Sequence, residues 1–162
     1  MEIGKMEIRK AETGDIPRIG ELLYQVQRVH SDARPDLFKA GTRKYTDGQL
    51  LEILNDSSKE IFVAADENGR VEGYAFCIVT EAHGSTQNPV KSLYIDDLCV
   101  DSAARGHHTG TRLYEYVLEF AKKIGCYNVT LNVWADNKNA VAFYEKIGMR
   151  VQKIGMEKIL NG

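Results

Sequence analysis

One stretch, Ser92 to Ile124, constrains the rest of this chain. Leu93-Tyr94-Ile95-Asp96-Asp97-Leu98-Cys99-Val100 is a run of apolar and branched residues with two adjacent carboxylates at its centre. It reads as a buried strand. A short basic loop follows, Arg105-Gly106-His107-His108-Thr109-Gly110-Thr111. Then Leu113, Val117, Phe120, Ala121 and Ile124 recur at helical spacing, while Arg112, Glu115, Glu119, Lys122 and Lys123 take the other face. A helix that starts at a glycine-bearing loop aims its unpaired N–H groups and the positive end of its dipole at one spot. That spot is an anion site, most often for phosphate. Arg105 at its entrance adds a guanidinium that matches phosphate oxygens.

Bulk properties narrow the alternatives. A chain of 162 residues suits one domain with a real core. A net charge of −2 gives no electrostatic case for nucleic acid as the main partner. No apolar run is long enough to span a bilayer, and Met1-Glu2-Ile3-Gly4-Lys5 lacks the apolar core of a signal peptide. Cys77, Cys99 and Cys126 sit in or beside apolar segments without ligand spacing, which fits buried free thiols in a reducing cytoplasm. His107 and His108 have no suitably spaced third ligand, so no metal site is expected. His30 and His83 read as surface loop residues, and Trp134 as core or sheet-edge packing.

Taken in order, Met6 to Arg9 suits a short strand. Thr13 is a candidate N-cap, with Asp15 and Pro17 in the first turn and an apolar face of Ile16, Ile19, Leu22, Leu23, Val26 and Val29. Residues 30–44 read as a loop. Thr46-Asp47-Gly48-Gln49 fits a capping box ahead of a second helix. Ile61 to Asp66 and Val71 to Thr80 flank Asn68-Gly69, a strong hairpin signal. Gly125 closes the helix of the central stretch. Asn128 to Trp134 reads as a strand, and Ala140 to Lys146 as a short helix with Asp136 or Asn137 as cap and Gly148 as stop. Met149 to Leu160 reads as one or two final strands. The expected fold is α/β (α+β): a mixed, mostly antiparallel central sheet of six to seven strands flanked by about four helices. A single domain over residues 1–162 is expected.

The loop is neither the nucleotide P-loop GxxxxGK[ST] nor the dinucleotide pattern GxGxxG. Its neighbours sharpen it. The pattern Arg/Gln-x-x-Gly-x-Gly/Ala starts at Arg105 and ends at Gly110, and Asn137 is followed by Tyr144, Gly148 and Met149. With these motifs the chain resembles the GNAT superfamily of acetyl-CoA-dependent N-acetyltransferases, over about residues 6–160 by element order. Tyr94 to Val100 is more weakly similar to the diamine and polyamine N-acetyltransferase branch, where an acidic pair sits in this strand.

The resemblance implies acetyl-CoA as cosubstrate, a GNAT fold, transfer to a primary amine and a homodimer. The amides of Gly106, His107, His108, Thr109, Gly110 and Thr111 would hold the pyrophosphate, with Arg105 adding charge. Backbone groups of Leu98, Cys99 and Val100 would pair with the pantetheine arm as if it were an added strand. Asn137 and Asn139 would contact the same cosubstrate, and Tyr144 would give a proton to the departing thiolate. An alkyl amine of pKa near 10.4 is free base only about once in 10³ to 10⁴ molecules at neutral pH, so a base is required. Asp96 or Asp97, directly or through a water, is that candidate; strand alternation lets only one face the cleft, and the family match favours Asp96. Either could instead bind a cationic amine. The acceptor classes are polyamines, amino-acid-like amines and protein amines, attacked directly in a ternary complex. The loop from Ser31 to Tyr45, with Arg34, Asp36, Lys39, Arg43 and Lys44, is expected to shape the choice among them, though its mixed charge favours none.

One departure stands out: His108 occupies the position of the family's first loop glycine, and Thr109 replaces the usual apolar residue. Either His108 enters the left-handed region at a cost of about 1–2 kcal/mol, or the loop keeps right-handed geometry with the ring turned outward. The departure motivates the rival reading, a non-catalytic acyl-CoA-binding module of the same fold. A nucleotide-phosphate enzyme is a third reading.

Overall fold

The computed structural model describes residues 5–161. Met1 to Gly4, which carry most of the N-terminal reading, lie outside the described residues. The chain divides into two compact units with the boundary between Asn132 and Val133. The first holds a five-stranded sheet in the order β1-β2-β3-β4-β5, made of β1 (Glu7–Lys10), β2 (Lys59–Ala65), β3 (Val71–Glu81), β4 (Lys91–Val100) and β5 (Asn128–Leu131). The first three pairings are antiparallel and the last, β4 with β5, is parallel.

Three helices cover the sheet: α1 (Ile16–Ala33), α2 (Asp47–Leu54) and α3 (Thr109–Lys123). Strand alternation sorts the core into two layers. Ile61, Val63, Tyr74 and Phe76 join Ile19, Leu22 and Leu23 of α1 and Leu50 of α2. Phe62, of opposite parity, meets the rings of Tyr116 and Phe120 of α3 at centroid distances of 5.0 and 5.1 Å. Gly73 lets α3 close in, since a β-carbon there would lie 2.8 Å from the Cys99 carbonyl oxygen and 3.1 Å from Leu113 Cδ1.

Local signals read from the sequence are realised. Thr46 Oγ1 accepts from the Gln49 amide at 3.2 Å while the Gln49 side chain accepts from the Thr46 amide at 2.9 Å, closing the capping box. The Asp66 carboxylate accepts from the Asn68 and Arg70 amides across the β2–β3 hairpin. Gly125 (φ 81°) ends α3 in a Schellman motif, with Cys126 N–H donating to Ala121 O at 2.9 Å and Gly125 N–H to Lys122 O at 3.1 Å.

Several expectations fail for nonlocal reasons. Helix α1 runs on to Ala33, so His30 is not in a loop; it stacks on Phe38 at 5.0 Å, and burial lowers its pKa. Thr13 is not the cap of α1 but the first residue of a 3₁₀ turn, Thr13–Asp15, that leads into it. The turn is fixed by the Asp15 carboxylate, which accepts from the Glu12 amide at 2.8 Å and pairs with Arg9. Strand β5 stops at Leu131, short of Trp134. Residues 149–160 form no strand, so the sheet has five strands rather than six or seven among the described residues. A strand exists only where a neighbour takes its hydrogen bonds.

The second unit, residues 133–161, contains α4 (Lys138–Lys146). Asn137 caps it, its side-chain oxygen accepting from the Ala140 amide at 3.2 Å. Gly148 (φ 104°) stops it, with Met149 N–H donating to Tyr144 O and Gly148 N–H to Glu145 O. No helix of the described residues is long and apolar enough to cross a membrane.

Candidate active site

The centre of β4 is not a regular strand. Phe76 faces Asp97, yet the next residue, Cys77, faces Ile95, so Asp96 is an extra residue in a β-bulge. The bulge reverses the alternation. Ile95 shares a face with Cys77, whereas Asp97 shares the α1–α2 face with Phe76. Asp96 turns to that face too, where Lys44 Nζ donates to its Oδ1 at 2.8 Å and Tyr45 Oη to its Oδ2 at 2.7 Å. The expectation that only one aspartate can face the cleft is therefore corrected: one extra residue brings both carboxylates to one side.

The two carboxylates differ in surroundings. Tyr74 Oη donates to Asp97 Oδ2 at 2.6 Å. Burial pushes the Asp97 carboxyl up to about 6, with the Tyr74 bond and the Lys44 charge pulling the other way and the Asp96 charge adding to the rise. Burial also raises the phenols of Tyr45 and Tyr74, reinforced by their carboxylate partners, so both stay protonated donors. Tyr45 rests against Phe76 at 5.5 Å, and Phe76 against Tyr74 at 4.8 Å. Tyr74 was not among the site residues expected from sequence; Lys44 and Tyr45 lie in the 31–45 loop, which was expected to shape acceptor choice but not to touch this pair. Lys44 and Tyr45 lie some fifty positions before the pair they touch, so no local pattern links them.

The sheet also opens at this point. Strand β5 follows β4 only from Ser92 to Ile95. From Asp96 to Val100 the edge of β4 that faces away from β3 has no strand partner among the described residues. Four strand steps, roughly 13 Å, separate the carboxylate end of this edge from its other end. Leu98 and Val100 can offer backbone groups there. Cys99 can contribute only its backbone, because its side chain lies in the α1–α2 core with Sγ 3.8 Å from Leu22 O and burial pushes its thiol up to about 12.

Beyond Val100 the chain is clamped before it enters the loop. The buried Asp101 carboxylate accepts from the Ala103 amide at 3.0 Å and from Gln25, and pairs with Arg18 of α1. Arg18 Nε also donates to Val71 O at 2.8 Å. The Ala103 amide and the Arg18 and Gln25 contacts hold this carboxyl below its ordinary range against the opposing effect of burial. Arg105, Gly106, His107 and His108 then lie exposed. The first intrahelical bond of α3 runs from Arg112 N–H to His108 O at 3.0 Å, so the amides of Thr109, Gly110 and Thr111 precede it and are the helix's outward donors.

Two loop residues carry measurable costs. His108 adopts φ 59°, ψ 24°, the left-handed region; of the two geometries open from sequence, this is the costly one. We expect His108→Gly to raise stability by about 0.5–1 kcal/mol, relief of strain outweighing the extra freedom of the unfolded chain, as read by denaturant unfolding. A loss of stability would contradict the strain. The Thr109 hydroxyl is buried without a hydrogen-bond partner among the described residues. We expect Thr109→Val to gain about 1 kcal/mol in the ligand-free protein by removing that orphaned group; unchanged or lower thermal stability would show that the hydroxyl is satisfied.

The remaining expected site residues belong to the second unit. Asn137 uses its side-chain oxygen as the α4 cap, which leaves its amide NH₂ as a donor. Asn139 is exposed. Tyr144 packs edge-on against Phe143 at 5.2 Å. The seven residues from Asn137 to Tyr144 are close to two helical turns, which puts both near one face of α4. Among the described residues no cluster of three His, Cys, Asp or Glu could hold a metal ion.

Known proteins share this architecture. The BH1408 protein from Bacillus halodurans, whose crystal structure was solved as a mutant, is 28% identical and superposes with a TM-score of 0.91 over 95% of this chain and 99% of that one. Glucosamine 6-phosphate N-acetyltransferase from Arabidopsis thaliana is 27% identical over 157 residues, covering 97% of this chain and 95% of the relative. Peptidyl-lysine N-acetyltransferase YjaB from Salmonella typhimurium is 28% identical over 132 residues, covering 82% and 77%. The signature of the acetyltransferase (GNAT) family matches residues 23–149, from α1 through the bulged strand, the loop and α4. With the open edge of β4, the outward amides of α3 and that match in hand, this chain belongs to the GNAT family of acetyltransferases.

Proposed function

We propose that this protein transfers an acetyl group from acetyl-CoA to a primary amine by direct attack, with its acceptor held at the Asp96–Asp97 pair. The observation that carries the reading is the departure of β4 from β5 at Asp96, which leaves a strand edge with carboxylates at one end and a helix N-terminus just past the other. The residues fit acetyl-CoA. The amides of Gly106 to Thr111 and the exposed Arg105 suit its phosphates. Backbone groups of Leu98 and Val100 suit its amide-bearing arm. Acetyl-CoA supplies an activated acyl carbon; the protein's residues orient the amine, accept its proton and stabilise charge.

In this reading Asp96 receives the acceptor's ammonium, in the place Lys44 now takes. Asp97 accepts the proton, because its carboxyl, raised to about 6, is a better base near neutrality than an ordinary aspartate. Tyr144 donates to the departing sulfur. Once an acceptor takes the place of Lys44, Asp96 receives it while Asp97 stays bonded to Tyr74, so the pair presents one seat for an ammonium. A single primary amine on a neutral or anionic body therefore fits better than a polyamine. Two relatives point to such acceptors by name, one to glucosamine 6-phosphate and one to peptidyl lysine.

The proposal treats both units as parts of one domain, since the family match runs across residue 132. It includes a homodimer, supported by apolar side chains left in water along the last stretch: Ile154 is 77%, Met156 93% and Leu160 87% exposed. Thiol release from acetyl-CoA with a panel of amino sugars, amino acids, lysyl peptides and polyamines tests the function. Turnover of a mono-amine class is expected. Acetyl-CoA binding with no turnover of any amine would favour the acyl-CoA-binding module instead.

A further inference from the structure

The loop between α1 and α2 brings an amine of the protein itself to the carboxylate pair. Lys44 Nζ sits 2.8 Å from Asp96 Oδ1, and 5.4 Å from the centroid of the Tyr45 ring. The Asp96 side chain is nearly buried while that of Lys44 is half-exposed, so an ammonium reaches in from the mouth of the site. Of the other cations in this loop, Arg34 pairs with Asp36 and Arg43 with Asp47, and a guanidinium does not lose its proton near neutrality, while Lys39 lies exposed. Lys44 is thus the primary amine this fold places where an acceptor amine has to go.

We propose that Lys44 is an acetyl acceptor of this protein, a self-modification site whose acetylation frees Asp96 for external amines. The inference rests on the reading above, in which the thioester end of acetyl-CoA lies at the carboxylate end of the β4 edge. Lys44 Nζ gives one proton to the carboxylate pair and attacks the thioester carbonyl carbon. The N–C bond forms and the C–S bond breaks, its electron pair leaving on sulfur, which takes up the nitrogen's second proton to become coenzyme A thiol. The resulting amide carries no charge. Asp96 then keeps the Tyr45 hydrogen bond but loses its ammonium partner, and a second amine can bind. The device makes acetyl-CoA supply and activity interdependent.

The test uses the full chain with acetyl-CoA and no added amine, read by intact mass and peptide mapping. One acetyl group per chain on Lys44 is expected, at a rate independent of protein concentration because the step is intramolecular. Lys44→Arg should cut the labelling by about tenfold or more, as expected when a positioned amine is lost, whereas Lys39→Arg in the same loop should leave it unchanged. Pre-acetylated protein should turn over external amines faster than untreated protein. Labelling spread over many lysines and insensitive to Lys44→Arg would overturn the proposal, as would a rate that scales with protein concentration. If external amines are acetylated while Lys44 stays unlabelled, self-modification fails and the site reading stands. If acetyl-CoA neither binds nor acetylates any amine, both fail together.

Discussion

Asp97→Asn is expected to make the protein more stable at neutral pH and much slower. In the unfolded chain an aspartate loses its proton near pH 3.9; in the fold, Asp97 does so near 6. Between those values the folded state binds more protons than the unfolded state, so stability falls as pH rises through the window and stays reduced above it. Asparagine cannot ionise, and its carbonyl still accepts from Tyr74. Asp97 keeps some solvent contact, which limits the effect, so the variant should gain about 1–2 kcal/mol at pH 7–8 and almost nothing by pH 4. Turnover should fall by about 10² or more, the range for loss of a general base. Unfolding titrations at both pH values, paired with steady-state kinetics, separate the two effects. A variant that is no more stable at pH 8 would refute the raised carboxyl. One that keeps full turnover would move the base to Asp96 or to a water.

Tyr144→Phe is expected to cost on the order of 10² in kcat with acetyl-CoA affinity nearly unchanged. Removing one hydroxyl leaves the edge-on packing against Phe143 and the α4 stop in place. The departing group is a thiolate, whose conjugate acid has a pKa of about 8.5. Sulfur therefore needs its proton most at neutral pH, and the deficit should narrow as pH rises above about 9. A deficit that is flat with pH, or confined to KM, would make Tyr144 a binding residue instead of a proton donor. The pair of variants therefore tests the two ends of the proposed reaction, the proton taken from the amine and the proton given to sulfur.

Two adjacent aspartates in a strand suggest polycations. In the fold one carries a lysine from the α1–α2 loop, and the other is held partly protonated near neutrality by burial. In the function proposed above, the pair would offer one anionic seat and one raised base, a set suited to a single amine.

Sequence by itself determined the features whose interactions span a few residues. The capping box at Thr46 and Gln49, the turn around Asn68-Gly69 and the glycine stops at 125 and 148 are all closed by bonds between near neighbours, and all were legible, as was the start of a helix after the glycine-bearing loop. The family could be read because its motifs are of this local kind. Tertiary structure decided everything that depends on register between distant segments. The bulge at Asp96 exists only in the pairing of β3 with β4, where it turns both carboxylates to one face, and the strand edge beyond them is open because the pairing of β4 with β5 ends at Ile95. Lys44 and Tyr45 reach Asp96 across about fifty positions, and Asp101 is set by Arg18 from α1. Residues 149–160 have apolar character but no neighbouring strand to take their hydrogen bonds, so composition alone overstated the sheet. Backbone groups pair with whatever the fold brings alongside, and that is not written in the spacing of any one segment.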